Sequence, residues 1–416
     1  MRSFACPRYL FRLSFPMILA AMVVASCTRP EGADGVLGDE AWSVEGPMVR
    51  IGSVDDPDFA FQSVAALAMS PNGILHSLHR GEATIRRWDA EGNPAGILGG
   101  KGEGPGEFDT PGGLGFFGDT LWVMDRHAYR VSYFDLDGSF LGSVTPRVDM
   151  SRDPENPNAS VPRPSFPLRD GTLYGIAPAW SDAIARGQLS EAKHVQMDPK
   201  GGNLATVWVQ PYRPTDVLAL LRESGGTFGR QPFGDNPLFH VSSDGVLLVL
   251  NRRVSESGGK ATIRITKIAM TGDTLLAKEI DYTPEPLPRE KIDSASHAQA
   301  EGMYEFMRRM DGELSLAKLE ADLRKATYSP DYLPAVQSMV VADDGSVWLQ
   351  RFTPSENGHV WWVLDEDAEP IATVVTPMGF QVLLITGETL WGIERDDFDV
   401  NYIVRYDVVL GRPELE

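Results

Sequence analysis

Two stretches that align without a gap decide the reading. Gly73–Asp89 runs GILHSLHRGEATIRRWD, and Asp119–Asp135 runs DTLWVMDRHAYRVSYFD, 46 residues further on. Each reads as a turn, a strand, a short polar loop and a second strand ending in aromatic-Asp, followed by a Gly turn (Glu91-Gly92, Asp137-Gly138). The strands are short and partly alternating, as half-buried antiparallel sheet requires. The frame returns in Asp170–Tyr174 (DGTLY), Asp244–Val249 (DGVLLV), Asp344–Leu349 (DGSVWL) and Gly387–Trp391 (GETLW). The equivalent positions His76, Trp122, Tyr174, Leu248, Trp348 and Trp391 are spaced by 46, 52, 74, 100 and 43 residues. Asp-Gly between apolar runs is the strongest short hairpin signal, because both central residues can take positive φ. Hairpin-centred units repeating every ~45 residues, with insertions, predict an all-β chain folded as a six-bladed β-propeller.

Between the first two units lies Gly99–Phe108, GGKGEGPGEF. Repeated glycine permits a tight crossover between blades, and Phe108 is placed to plug the core between them. This loop resembles the interblade loop of NHL-type propellers, most of all the bacterial six-bladed propeller lipoproteins, in which Gly-x-Gly-Pro-Gly-Glu-Phe is frequent. The match continues through Leu121–Asp125, Arg130-Val131 and Phe134-Asp135; it is close over residues 61–145, looser over 335–410 and weak between. The resemblance implies a propeller carried on a lipid anchor. Trp42–Val54 precedes the first unit, has strand character and lacks a hairpin partner. It is expected to complete the last blade and close the ring, which removes exposed sheet edges.

The first 27 residues carry Arg2, Arg8 and Arg12 and no acid, and Leu13–Thr28 is uncharged, with the apolar run MILAAMVVA. An apolar run this short fits a secretory signal better than a membrane span of about 20 residues. It ends in Val24-Ala25-Ser26-Cys27. Small residues before a cysteine resemble the bacterial lipoprotein signal, which implies that Cys27 takes lipid and that residues 1–27 are the signal peptide. The only other cysteine is Cys6, so the body has none and its stability rests on its core. Residues 28–41, rich in Gly and acid, read as a flexible tether, and 42–416 as the propeller. Thr28, in place of an Asp after the lipidated residue, favours the outer over the inner membrane, with the body periplasmic or surface-exposed.

The chain carries 38 basic and 58 acidic side chains, a net charge of −20. That sign argues against nucleic acid as a partner, and against electrostatic docking on anionic lipid, leaving the N-terminal lipid as the membrane contact. Within the 100-residue gap between the fourth and fifth units, residues 286–328 read as a helical hairpin inserted between those blades. Ile292, Ala295, Met303, Phe306 and Met310 recur near helical spacing, Gly312 separates the two helices, and Leu316, Leu319 and Leu323 follow. The insertion is expected to buttress the propeller; the alternative is a lid or partner-docking arm. Arg147–Pro167, rich in Pro, Asn and Ser, reads as an extended loop.

Strand parity places the ends of the second strands and the Gly-rich crossover on one face. The position of Asp125, followed around the ring, gives His79, Asp125, Ala177, Asn251, Arg351 and Glu394. Five of these six are polar on otherwise apolar strands, and could hold a polar solute or a cation. Alternatively each caps its own loop, as Asp does when it binds turn amides. His240, on an inner strand, is a further candidate to line the channel. His76 and His79 have metal-like spacing, but three residues apart on a strand they point to opposite faces. NHL-type propeller lyases set several histidines around a metal, and only His79 and His240 could contribute here. No G-x-S-x-G elbow, P-loop or dinucleotide fingerprint occurs, Asp343-Asp344 and Asp396-Asp397 fall in turns, and no residue stands out as catalytic, as a metal ligand or as specifying a cofactor. The sequence therefore favours a monomeric, non-enzymatic binding or interaction scaffold for a protein or small polar ligand. The alternative is a hydrolase or lyase with a polar, metal-assisted site in the central funnel.

Overall fold

The computed structural model describes residues 40–53, 55–56, 59–148, 161–179, 190–222, 225–257 and 259–411. Cys27, the leader and most of the tether lie outside the described residues. The first strand, β1 (Glu40–Ile51), begins inside the stretch read as tether. Four four-stranded antiparallel sheets follow, each formed by consecutive strands. They are β2 (Ala66–Met69), β3 (Leu75–His79), β4 (Thr84–Trp88) and β5 (Pro94–Gly99); β6 (Pro111–Phe117), β7 (Thr120–Asp125), β8 (Arg130–Phe134) and β9 (Phe140–Val144); β10 (Arg163–Pro167), β11 (Leu173–Ala177), β12 (Ser190–Met197) and β13 (Asn203–Tyr212); and, after a hairpin of β14 (Val217–Arg222) and β15 (Gly225–Arg230), β16 (Leu238–Val241), β17 (Val246–Ser257), β18 (Lys260–Ala269) and β19 (Thr274–Tyr282). Two helices come next, α1 (Arg289–Met310) and α2 (Leu316–Ala326). The remaining strands are β20 (Val336–Val341), β21 (Val347–Arg351), β22 (His359–Leu364), β23 (Pro370–Thr376), β24 (Gln381–Thr386), β25 (Thr389–Arg395) and β26 (Asn401–Val409). With β1 they form one eight-stranded sheet, ordered β20-β21-β22-β23-β1-β26-β25-β24.

The sheets stand face to face around a ring, so the fold is an all-β propeller with few helices. First strands of neighbouring units lie side by side, β2 beside β6 and β24, and β20 beside β16 and β24. Each interval between units is filled by apolar side chains from both. Leu78, Ile85 and Leu98 meet Leu121, Val123 and Phe134 between the first two sheets, with Phe108 at full burial among them. A Cβ on Gly99 would lie 2.4 Å from the Phe108 ring, and Gly99 sits at φ +82°, so this crossover tolerates only glycine there. The strand foreseen before the first unit does close the chain on itself: β1 pairs antiparallel with β26 from Ser43↔Val409 to Ile51↔Ile403.

One local expectation is made specific and another is corrected. In the Asp-Gly hairpins only the glycine takes positive φ (Gly171 +85°, Gly245 +80°, Gly345 +86°). Gly171 N donates to Leu168 O at 3.0 Å and Leu168 N to Thr172 O at 2.9 Å, a turn closed by one left-handed residue. The aspartate stays at negative φ because its carboxylate is used locally: Asp170 Oδ1 accepts from Thr172 N at 2.9 Å and Asp344 Oδ1 from Ser346 N at 2.8 Å. The end of the stretch read as an extended loop, Arg163–Pro167, is the strand β10, paired with β11. Among the described residues no helix is long and apolar enough to cross a membrane.

Candidate functional site

In a four-stranded antiparallel unit, the fourth strand ends on the face where the next first strand begins. Among the described residues, two crossovers on that face carry secondary structure of their own, and they follow one another around the ring. The crossover from β13 to β16 carries the β14–β15 hairpin; the one from β19 to β20 carries α1 and α2. The hairpin is two-sided. Leu218 and Leu220 turn toward the helices and share a cluster with Ala300, Met307, Leu314, Leu319 and Leu323. Gln231, 8% exposed, staples the parts together: its Nε2 donates to Val217 O (3.2 Å) and Ala326 O (3.0 Å), and its Oε1 accepts from Tyr328 N (2.8 Å). The helices therefore buttress this hairpin. Phe306, expected on the packing face, is instead 61% exposed, and Met307 is buried in its place.

The other side of the hairpin carries Val217, Phe228 and Arg230 and roofs a cavity of about 640 Å³. The floor comes from the propeller: Gln210 and Tyr212 at the end of β13, Leu238 and Phe239 of β16, and Gln337, Ser338 and Met339 of β20, with Asp216 and Asn236 from the connections. Volumes of this order (about 300–1,000 Å³) are those of small-molecule sites. Buried groups hold the floor rigid. Arg252, 6% exposed, donates through Nε to Asn236 O at 2.7 Å, through Nη1 to Val336 O at 3.1 Å, and through Nη2 to Gly234 O. Burial lowers its pKa to about 10, which leaves it charged at neutral pH. Behind Gln210 lies a buried pair in which the Tyr174 hydroxyl meets His194 Nδ1, with Trp208 and Phe239 packed on the imidazole at 4.7 and 5.0 Å. Burial pushes the His194 pKa down to about 4, so the ring is neutral and Nδ1 accepts from the phenol.

The six expected ring positions do share one level. Asp125 pairs with Pro111 and Arg351 with Val336, each the first residue of an inner strand. Glu394, Ala177 and Asn251 lie one residue beyond such a pair, as does His79. Yet they do not converge on a common ligand. Asp125 accepts from four amides, Asp109 N at 2.6 Å and Thr110, His127 and Ala128 N at 3.2 Å. Glu394 accepts from Arg50 Nη1 at 3.0 Å and from the Tyr406 hydroxyl. Arg351 is paired with Glu285 and lies 5.4 Å from the Trp362 ring centroid. His79 is buried against Phe61, with Nε2 2.9 Å from Ser77 Oγ. That serine is fully buried and also accepts from Trp88 Nε1 at 2.9 Å, so the contact ties strands together and offers no nucleophile. Asn251 is half-buried in β17. His240 of β16 is reached by solvent, while the surrounding protein still lowers its pKa by desolvation, as in a walled opening. His76 lies apart from His79, its Nδ1 3.1 Å from Ile74 O. Among the described residues no three His, Cys, Asp or Glu side chains gather as a metal set.

Sequence reasoning missed the cavity. Its signals were the 74-residue spacing between the third and fourth units and the Ser224-Gly225-Gly226 sequence that follows the apolar run Val217–Leu221. No protein-family model and no curated protein matches the chain. Among solved structures it is similar to a member of the DUF4221 family from Bacteroides vulgatus, at 11% identity over 90% of this chain and 98% of that chain, TM-score 0.45. It is similar to a candidate exported protein from Bacteroides fragilis, at 11% identity over 91% and 97%, TM-score 0.42. It is also similar to virginiamycin B lyase from Staphylococcus aureus, at 11% identity over 84% and 97%, TM-score 0.36.

Proposed function

We propose that the chain is a binding module of the bacterial envelope that takes a small polar ligand into the capped cavity on its propeller face. The observation that carries this is the cavity itself, about 640 Å³, enclosed between the β14–β15 hairpin and the ends of the propeller strands β13, β16 and β20. Among the described residues its lining contains no His, Cys or Lys, and its hydroxyls are those of Tyr212 and Ser338, the latter donating to Gln350 Oε1 at 2.7 Å. That chemistry suits recognition better than the alternative of a hydrolase or lyase.

On the same reading the body, residues 42–416, is a six-bladed propeller. The eight-stranded sheet divides into β20–β23 and β24–β26 with β1. The two halves share strand pairing only over a short parallel stretch, Glu40↔Ala372 to Trp42↔Val374. An apolar seam runs between them, where Trp361 and Val374 meet Val382 and Tyr406. Residues 286–328 then form a helical insertion between the fourth and fifth blades. Residues 1–27 act as a lipoprotein signal with Cys27 as the acylated residue, and 28–41 as the link to the outer membrane.

The test is a thermal-shift screen of the full chain against small polar solutes, repeated on Gln337→Trp. Gln337 is exposed at the cavity floor, so the indole fills space without entering the core. A ligand at 100 times its Kd stabilises the native state by about 2.7 kcal/mol. The expected result is a stabilising solute whose effect is lost in the filled variant. Stabilisation that persists unchanged in Gln337→Trp, or no stabilising solute, overturns the reading.

A further inference from the structure

The cavity holds two opposite charges that are not spent on each other. Arg230 hangs from the roof and Asp216 sits at the rim, and among the described residues no ion pair joins them. Arg230 is exposed and has no hydrogen-bond or ion-pair partner among the described residues. Asp216 uses one oxygen, Oδ2, to accept from Arg213 N at 2.6 Å, and its other oxygen is uncommitted. Burial raises the pKa of the nearby Tyr212 phenol, and both charges reach it, Arg230 lowering and Asp216 raising that pKa. Around them lie the amides of Gln210 and Gln337 and the apolar surfaces of Phe228, Phe239 and Met339.

Any ligand that enters must desolvate these groups, and a charge left unpaired after desolvation is strongly unfavourable. A lone carboxylate would satisfy Arg230 but strand Asp216, and would approach against a protein of net charge −20. A lone cation would strand Arg230. A neutral molecule would strand both. A ligand that carries an ammonium and a carboxylate on one short frame answers both groups and meets no net repulsion. From this juxtaposition we infer that the cavity binds a zwitterionic amino acid or short peptide. Its carboxylate is held by Arg230, its ammonium by Asp216, and its apolar side chain by Phe228, Phe239 and Met339. This rests on the binding reading above.

The experiment is calorimetric titration of the full chain in detergent with phenylalanine, leucyl-phenylalanine and leucyl-glycyl-phenylalanine. Each is offered free, N-acetylated and C-amidated, so that the arms separate a free amino acid from a peptide. The expected result is that at least one free form binds, and that acetylation and amidation each weaken it at least ~10-fold, equivalent to about 1.4 kcal/mol. Arg230→Gln should abolish the penalty for amidation. Asp216→Asn should abolish the penalty for acetylation while keeping an oxygen for Arg213 N. Blocked forms that bind as tightly as free ones overturn the inference, as do penalties that persist in these variants or a failure of all three free forms. If the free forms fail while another solute stabilises the wild type and not Gln337→Trp, the ligand class falls and the cavity reading stands. If Gln337→Trp changes no binding at all, both fall.

Discussion

Acidification from pH 7 to pH 5 should remove much of the stability of the fold, through three histidines. His76, His79 and His194 are 2%, 1% and 1% exposed. Burial is the largest cause in each case, and it lowers each pKa from 6.5 to about 4. For His79 the Arg86 charge adds to the effect. The sign follows from proton counting. Above pH 6.5 both states are neutral at these positions, and the full stability is present. As the pH falls below 6.5 the unfolded chain takes up protons that the folded one refuses, so stability is lost progressively down to about pH 4. Integrated to pH 5, each histidine contributes a loss of about 2 kcal/mol, roughly 6 kcal/mol for the three. That is comparable with the whole stability of an ordinary domain, about 5–15 kcal/mol. His194 adds a mechanical reason, because protonation of Nδ1 would turn an acceptor of the Tyr174 hydroxyl into a second donor. The assay is urea unfolding of the full chain at pH 7 and pH 5, followed by tryptophan fluorescence. His76→Asn, His79→Asn and His194→Asn, made singly, should each shrink the difference between the two pH values by about 2 kcal/mol, whatever they do to stability at pH 7. A wild-type loss under about 2 kcal/mol, or variants that leave the difference intact, would refute the assignment of neutral buried imidazoles.

Three further outcomes are expected. Arg252→Met should destabilise by about 3–5 kcal/mol in urea unfolding, because the carbonyls of Gly234, Asn236 and Val336 lose a shared charged donor inside the fold. Arg252→Lys should rescue only part of this, since one ammonium cannot reproduce the planar fork. Asp125→Ala should cost about 1–3 kcal/mol by leaving buried amides without an acceptor, and should leave ligand stabilisation in the capped cavity unchanged, because this carboxylate serves its own loops. Cys27→Ala should move the protein from the membrane fraction to the soluble fraction of an envelope preparation and abolish the acyl mass on the mature N-terminus; retention in the membrane fraction would overturn the proposed anchor.

The propeller was legible because its physics is local and repeated. A turn such as Asp344-Gly345, an apolar pair such as Val347 and Leu349, and a plug such as Phe108 each state their own role within a few residues, and repetition states how they are stacked. Even there, register-level detail escaped: Asp-Gly allows two residues at positive φ, whereas the aspartate's own hydrogen bonds hold it out of that region. The ring of strand-end polar residues was also legible as a level in the fold, since parity alone places His79, Asp125 and Glu394 together.

What parity cannot supply is where a side chain spends its hydrogen bonds, and that decided the site. At the strand ends the backbone amides of the adjacent loops are within reach, so a carboxylate such as Asp125 is captured before any ligand could compete for it. The groups left uncommitted are those carried away from the loops that would capture them. Arg230 stands on a hairpin lifted off the sheet by the helices, and Gln337 sits at the irregularity where β20 shifts register against β21. Arg230 lies outside the repeat and Gln337 at an irregularity within it, and their meeting depends on a contact between two crossovers nearly a hundred residues apart, as the bond from Gln231 to Ala326 shows. A repeat frame is therefore informative about what holds this fold together and silent about what it binds, because binding capacity appears where the repeat is interrupted.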